Sequence, residues 1–367
     1  MNGSFLRTAV RRGAGGCALL ALIAGAGAAI QATAGNAAGS LDPLDPLSRK
    51  AAVVPNAPAS VLIAATRADQ RVIVAGENGI VLFSDDAAAH WQQAAVPVSV
   101  TLTAMSFADA ERGWAVGHSG VVLATTDGGR TWTRQLDGRA IAGLPEEAAA
   151  GADDGDPPPL PNAGDPLLDV LFLDANEGFA IGAFGLFLHT ADGGAHWTRA
   201  SARLPNPDGN HLYGIRLIGD RLYVVGERGA VFVSSDRGAH FEALKTPYEG
   251  SFFGLTGNAD GAVVVFGLQG RAFVSTDHGV HWNDVGGDGS SAWTGGATLD
   301  DGRMVLVGQA GDVRLQQAAG GRFDGWTGKQ PPLSAVAAGP DGRLVAVGPR
   351  GVHVIEMAAA TQGSEQP

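Results

Sequence analysis

Short apolar runs recur along the chain in pairs, and each pair is separated by a Gly-x-x-Gly element. Runs such as VIVAG and GWAVG stand before the element, and runs such as IVLFS and VVLAT stand after it. Two short apolar strands joined by a glycine-bounded turn are typical of a β-hairpin. The element occurs seven times, at Gly76/Gly79, Gly117/Gly120, Gly182/Gly185, Gly226/Gly229, Gly267/Gly270, Gly308/Gly311 and Gly348/Gly351.

A second element follows most of these hairpins and has the form Ser/Thr-x-Asp-x-Gly-x-x-Trp. It resembles the Asp box, or BNR repeat, a hairpin turn of sialidases, sortilin-type receptors and related propellers. Its carboxylate can accept hydrogen bonds from backbone N–H groups of its own turn, and its aromatic ring can pack between neighbouring sheets. We expect a structural role for its residues, which are Asp86, Trp91, Asp127, Gly129, Trp132, Asp192, Gly194, Trp197, Asp236, Gly238, Phe241, Asp277, Gly279 and Trp282.

The spacing of the repeats predicts the fold. Successive Gly-x-x-Gly elements are 41, 65, 44, 41, 41 and 40 residues apart. Such a period leaves room for about four short strands, and one sheet of that size cannot bury both faces, whereas seven arranged radially can. The sequence therefore predicts an all-β fold, a seven-bladed β-propeller over residues 57–357. In repeat 4 the expected strands are 212–218, 221–225, 230–234 and 240–244.

The segments around the repeats complete the predicted domain organisation. Repeat 7 has only three strands, so we expect the ring to be closed by an outer strand from residues 47–54, within a linker that spans 35–56. Residues 138–166 are rich in Pro, Gly and Asp and are expected to form an exposed loop between blades 2 and 3. Residues 358–367 are expected to form a flexible tail.

Residues 1–34 have the pattern of a secretory signal peptide. Arg7, Arg11 and Arg12 precede an apolar stretch at 17–30 that is too short to span a bilayer, and cleavage is expected after Ala34. The adjacent Arg11 and Arg12 leave the Sec and twin-arginine export routes open. We therefore expect an exported, periplasmic protein that does not span the membrane after cleavage.

Composition and charge exclude several classes of protein. With 55 Gly, 19 Pro and 17% charged residues, the chain is neither a coiled coil nor wholly disordered. The net charge of −12 argues against nucleic acid and anionic membrane surfaces as partners. Because the single cysteine, Cys17, lies in the predicted leader, the mature chain is expected to have no disulfide, zinc thiolate or thiol nucleophile.

No constellation of residues predicts catalysis, a metal site or a cofactor. Sialidases bind their carboxylate substrate through three arginines and use a tyrosine paired with a glutamate. The only tyrosines here are Tyr213, Tyr223 and Tyr248, and Tyr223 lies within an apolar strand. Since the Asp-box carboxylates fall in different blades, they are expected to lie too far apart to share a substrate. We expect a non-enzymatic protein, with a carbohydrate-active propeller, sialidase-like or glycoside hydrolase-like, as the alternative.

Residues that do not repeat are the better candidates for a binding site. Propellers commonly bind partners on the face formed by the loops that enter each blade and by the turns between its second and third strands. Aromatic and arginine side chains suit a protein-binding surface. The candidates for this partner-binding face are His118, Phe184, His211, Tyr213, Arg228, Tyr248, Phe253, Trp293 and Arg350.

The order of the two elements, with strands such as GWAVG and GFAIG, resembles the Ycf48/Hcf136 family over about residues 57–357. The resemblance implies a seven-bladed propeller that acts without catalysis in photosystem II assembly and holds an unassembled membrane protein. Two features depart from it. The family's arginine-rich patch has at most Arg216, Arg228, Arg271 and Arg350 as counterparts, and the leader is a plain bacterial export signal.

These observations predict an exported scaffold or assembly factor, a monomer, that binds a membrane protein or complex. Because such propellers also occur in non-photosynthetic bacteria, an accessory protein of a membrane transporter is a further alternative. Binding of a small ligand in the central channel is a third. The identity of the partner and the metabolism of the host stay open at this point.

Overall fold

Each repeat folds into one small antiparallel sheet, as the paired apolar runs predict. The structure, a computed structural model, describes residues 44–147, 160–287, 289–325 and 330–357. Within them the chain forms six four-stranded sheets and one three-stranded sheet, in which neighbouring strands follow one another in sequence. The predicted seven-bladed propeller is thereby confirmed. The predicted signal peptide and C-terminal tail lie outside the described residues.

The strands, numbered β1 to β27 in chain order, occupy four positions in the blades. The first strands contact one another in succession around the channel, and they are β1 (Leu62–Ala68), β5 (Leu102–Phe107), β9 (Leu167–Phe172), β13 (Leu212–Ile218), β17 (Phe252–Gly257), β21 (Trp293–Thr298) and β25 (Ala335–Ala338). The second strands are β2 (Arg71–Gly76), β6 (Gly113–Gly117), β10 (Gly178–Gly182), β14 (Arg221–Gly226), β18 (Val263–Gly267), β22 (Met304–Gly308) and β26 (Leu344–Gly348).

The outer half of each blade is less regular. The third strands are β3 (Val81–Ser84), β7 (Val122–Thr125), β11 (Phe187–Thr190), β15 (Val231–Ser234), β19 (Ala272–Ser275), β23 (Val313–Gln316) and β27 (Gly351–Ile355). The fourth strands are only two to four residues long, and they are β4 (Gln92–Gln93), β8 (Thr133–Leu136), β12 (Thr198–Arg199), β16 (Glu242–Ala243), β20 (Asn283–Asp284) and β24 (Phe323–Gly325).

Apolar side chains between neighbouring blades hold the ring together. The buried residues form seven clusters, and each cluster combines side chains of two adjacent blades. The cluster between the last blade and the first contains Val345 and Val347 of β26 together with Val72 and Val74 of β2. The ring is therefore closed by packing of side chains, because blade 7 buries one face on blade 1 and the other on blade 6.

The expectation of a ring-closing strand from residues 47–54 was wrong. Blade 7 has three strands in the described residues, and the segment lies against blades 1 and 2 instead. The amide of Ala51 donates to Val96 O (3.1 Å), and the amide of Ser99 donates to Pro46 O (2.8 Å). The physical reason is that Leu47 buries its side chain in the cluster between blades 1 and 2, so the start of the segment lies there. Only its end, at Val54, packs against the cluster between blades 7 and 1, without forming a strand.

The first residues of the insertion at 138–166 also differ from the expectation, because they form a short helix. Residues Gly138–Ile141 form the helix α1, and the Ile141 side chain is buried in the cluster between blades 2 and 3. Glu147 accepts a hydrogen bond from Arg203 Nε (2.7 Å) and lies 2.8 Å from His189 Nδ1. The expectation of an exposed loop was therefore wrong for Gly138–Ile141, which form a helix with a buried face, while 148–159 lie outside the described residues.

The Gly-x-x-Gly elements form tight turns on one face of the ring. Five of them are 3₁₀ turns between second and third strands, at Glu77–Gly79, His118–Gly120, Ala183–Gly185, Glu227–Gly229 and Leu268–Gly270. Two further 3₁₀ turns lie at Ala57–Ala59 and Ser201–Arg203. In blades 1 to 6 the first amide of the turn donates to a carbonyl just before the first strand, as Glu227 N does to His211 O (3.1 Å). We call this side of the ring the entry face and the opposite side the Asp-box face.

Candidate partner-binding face

The Asp-box carboxylates are engaged within their own turns. In blade 2, Asp127 Oδ1 accepts hydrogen bonds from the amides of Arg130 (3.0 Å) and Thr131 (2.9 Å) and from Thr125 Oγ1 (2.8 Å). Asp192 makes the same contacts with Thr190 and His196. The aspartates lie at separate blades, and no cluster of three or more His, Cys, Asp or Glu side chains in the described residues is arranged to hold a metal ion.

An imidazole pairs with the carboxylate in four of these turns, a contact that sequence reasoning missed. The Nδ1 atom of His196 lies 2.7 Å from Asp192 Oδ2, and His281 Nδ1 lies 2.6 Å from Asp277 Oδ2. The recurrence of His four residues after Asp is the sequence signal for it. The hydrogen bonds from the histidine amide and imidazole lower the pKa of Asp86, Asp192 and Asp277 to about 2.

We expect the protein to lose stability in acid because of these carboxylates. The pKa of an unfolded Asp is about 3.9, so between about pH 5 and pH 2 the unfolded chain binds more protons than the folded one. The free energy of unfolding should fall as the pH is lowered through this window, measured by urea unfolding. Asp192→Asn should reduce the slope of the unfolding free energy against pH in this window, whereas Asp260→Asn, at an exposed position, should leave the slope unchanged. Equal slopes for D192N and the parent would contradict the expectation.

The structure explains the glycine and the aromatic residue of the Asp box in different ways. Gly129, Gly194, Gly238 and Gly279 have φ between 84° and 91°, a conformation that other residues avoid. Ala88 takes the same place in blade 1 with φ 68°. The rings of Trp132, Trp197 and Phe241 are buried between blades, and those of Trp91 and Trp282 are half-buried at the equivalent interfaces.

Four of the candidate residues on the entry face form a continuous aromatic row. Phe184 and His211 meet edge to face with ring centroids 4.7 Å apart, and His211 lies 6.2 Å from Tyr213. Phe253 follows at 5.6 Å from Tyr213. The row leads from Phe184, which is 60% exposed, to Tyr213 and Phe253, which line the central channel. Burial, together with the nearby Glu227, raises the pKa of Tyr213.

The other candidates do not join this row. Trp293 is only 5% exposed, and its Nε1 donates to Gly270 O (2.9 Å), so the expectation that it faces a partner was wrong. The physical reason is that its ring fills the space between blades 5 and 6. Tyr248 is half-buried against Phe252 and Phe273. His118 and Arg350 are exposed but belong to blades 2 and 7.

Sequence reasoning missed the polar and apolar neighbours of the row. Phe184, His211 and Arg228 line one hollow together with Leu268 and Glu249. The sequence signal for Leu268 was a large apolar residue in the first variable position of a Gly-x-x-Gly turn, and the structure shows its side chain 41% exposed. The carboxylates gave no such signal, since an acidic residue on an acidic chain is unremarkable until its neighbours are known.

The comparison with known protein families shows the family to which the chain belongs. The family model described as photosynthesis system II assembly factor YCF48 matches residues 83–144 and 160–353. The chain belongs to the Ycf48 family. The resemblance drawn from the two repeated elements is thereby confirmed.

Curated members of the Ycf48 family match shorter segments. The photosystem II assembly lipoprotein Ycf48 of Synechococcus sp. (strain CC9902) is 35% identical over 77 residues, which are 21% of this chain and 23% of the relative. The chloroplastic photosystem II stability/assembly factor HCF136 of Oryza sativa subsp. japonica is 29% identical over 164 residues, 42% of this chain and 33% of the relative. The matched segments thus span 23% and 33% of the lengths of these two proteins.

A solved structure gives the same architecture. The structure described as YCF48 bound to D1 peptide superposes with a TM-score of 0.61 at 15% sequence identity. The match covers 82% of this chain and 94% of that one. At this level of identity the likeness concerns the fold. In the described residues, no helix has the length and apolar character needed to cross a bilayer.

The arginines of this Ycf48-family propeller do not form one patch. Arg216 Nη1 contacts Asp169 Oδ2 in the channel, and Arg271 Nη1 lies 3.1 Å from Asp284 Oδ2. Within the described ranges, Arg228 and Arg350 form no ion pair, and they lie in different blades, 4 and 7. Two of the four suggested counterparts are therefore neutralised by aspartates, which sets this entry face apart from an arginine-rich one.

Proposed function

We propose that this chain is an exported, non-enzymatic assembly factor whose entry face holds an extramembrane segment of a membrane protein. One observation carries the proposal, the aromatic row of a Ycf48-family propeller that begins at the exposed Phe184 and continues into the channel. Exposed aromatic side chains in contact with one another are typical of a protein-binding surface. Folding of the ring does not require Phe184 to be exposed, whereas binding does.

The state of the acidic residues supports a role without catalysis. A general acid or base near neutral pH needs a pKa close to the operating pH. The aspartates of the Asp boxes have the opposite property, because hydrogen bonds keep the pKa of Asp192 and Asp277 at about 2. They are also spread over different blades, so the carbohydrate-active alternative has no pair of carboxylates among them to act together.

The choice of a membrane protein as partner is supported by the relatives. One solved relative is described as bound to a D1 peptide, which shows that a propeller of this family can hold a peptide. For this chain we propose a peptide segment of an integral membrane protein, a photosystem subunit in a photosynthetic host or a transporter subunit elsewhere. Export through the predicted signal peptide, with cleavage after Ala34, would place the entry face on the side of the membrane where such a segment emerges.

Site-specific photocrosslinking in the native host tests the proposal. A photoreactive benzoylphenylalanine in place of Phe184 should capture an integral membrane protein, identified by mass spectrometry. The matched control carries the same group in place of His196, which is exposed on the Asp-box face. We expect capture from position 184 and none from 196. Capture of no membrane protein, equal capture from both faces, or turnover of a sialoside or glucan would contradict the proposal.

A further inference from the structure

A hollow of about 370 Å³ lies on the entry face where blades 3, 4 and 5 meet. It is lined by the turns between the second and third strands of these blades and by the loops that enter blades 4 and 5. Its main lining side chains are Phe184, His211, Glu227, Arg228, Glu249 and Leu268. The hollow has the size to receive one or two side chains of a partner.

Two apolar side chains of this hollow are exposed at positions where other blades carry different residues. Phe184 is 60% exposed and Leu268 is 41% exposed, in the turns of blades 3 and 5. Phe184 also has φ 55°, a conformation that bulky residues rarely adopt. None of the other blades carries an aromatic residue at the same turn position, where they have Asn78, Ser119, Arg228, Gln269, Ala310 and Arg350. Packing of the fold therefore gives no reason for a phenyl ring there.

The charges around these apolar side chains are mostly negative. Three carboxylates, of Asp208, Glu227 and Glu249, line the hollow against one guanidinium, of Arg228. The backbone amide of His211 donates to Glu227 (2.9 Å), whereas Asp208 and Glu249 are exposed and have no ion-pair partner in the part of the chain that the structure describes. Two carboxylates are thus free to pair with a cation brought by a partner.

We propose that this hollow binds a peptide segment in which a large apolar side chain is flanked by Lys or Arg. The apolar side chain would lie between Phe184 and Leu268, and the flanking cations would meet Asp208 and Glu249. This inference rests on the proposed function and adds to it the chemistry of the segment that is recognised. A second copy of the chain is a poorer occupant, because the net charge of −12 makes two copies repel each other.

Binding of synthetic peptides to the full chain tests the inference. Three labelled peptides of about twelve residues are compared by fluorescence anisotropy, one with Phe flanked by Arg, one with Phe flanked by Glu, and one with Ser in place of Phe. We expect the first to bind at least about tenfold more tightly than the other two. Raising the salt concentration from about 50 to about 500 mM should weaken it.

Matched variants locate the site on the propeller. Phe184→Asn installs the residue that blade 1 carries at the same turn position, so the backbone is retained while the ring is lost. We expect F184N and Glu249→Lys each to weaken the Arg-flanked peptide about tenfold or more. Ser119→Asn in blade 2 places the same residue at the same turn position of another blade, and Glu77→Lys in blade 1 makes the same charge reversal on the same face. Both should leave binding unchanged.

The outcomes separate this inference from the proposed function. Equal binding of the three peptides, or unchanged binding to F184N, would overturn the hollow as a site for this kind of segment. Concentration-dependent dimerisation abolished by F184N would assign the hollow to a second copy and would overturn it too. If selective peptide binding is found but photocrosslinking captures no membrane protein, the inference stands and the proposed function falls.

Discussion

Replacing Trp197 with alanine is expected to lower the free energy of unfolding by about 3–5 kcal/mol, the range for loss of a large buried aromatic side chain. Trp197 is 5% exposed and lies in the cluster between blades 2 and 3. Its ring meets Phe172 edge to face at 6.0 Å, and Phe172 stacks on Trp114. Removal of the indole would leave a cavity at an interface that both blades need in order to close the ring.

Urea unfolding of the variant and of a conservative control measures this effect. Trp197→Phe keeps an aromatic ring at the interface and loses an Nε1–H that has no hydrogen-bond partner in the described residues. We expect this control to cost less than half of the alanine substitution, since most of the apolar volume is retained. A loss well below about 1 kcal/mol for W197A would mean that the ring does not support the interface as the structure indicates.

Replacing Gly229 with alanine is expected to cost about 2–4 kcal/mol, from two separate causes. The residue has φ +73°, which a side chain disfavours, and a Cβ atom there would lie 1.9 Å from Tyr248 O. Since the obstructing atom belongs to the backbone of the loop that enters blade 5, it cannot rotate away. The loop or the turn would have to shift, and with it the hydrogen bond from Gly229 N to Gly250 O (2.8 Å).

A second glycine separates the two causes. Gly342 has φ +81°, and a Cβ atom there would have no heavy atom within 4 Å. Gly342→Ala should therefore show only the cost of the left-handed backbone, about 1–2 kcal/mol. The difference between the two variants, measured by chemical unfolding, reports the close approach of turn and loop. Equal costs for G229A and G342A would contradict the explanation given for the second glycine of the Gly-x-x-Gly element.

Most of the fold could be predicted from local patterns. The predicted strands of repeat 4 differ from β13, β14, β15 and β16 by at most two residues at any end. The reason is that each blade repeats the same hairpins, so seven copies of one pattern reinforce the assignment of each. The family could also be predicted, because its two repeated elements are local.

Contacts between distant segments could not be predicted in this way. Leu47 packs between blades 1 and 2 rather than beside blade 7, and Glu147 contacts His189 and Arg203, more than 40 residues later in the chain. Of the candidate partner-binding residues, four came together in one row and Trp293 proved buried. Each of these contacts depends on which side chains of different blades meet. The pattern within a single repeat does not contain this information.

The sequence by itself determined the number of blades, the turn chemistry and the family, because these follow from short motifs whose spacing recurs along the chain. The tertiary structure alone decided how the ring closes and where apolar and acidic side chains gather on the entry face. Phe184, Glu249 and Leu268 belong to three blades and meet only because those blades are neighbours in the ring. A recognition site built from the edges of several similar units is therefore visible only once the units are assembled.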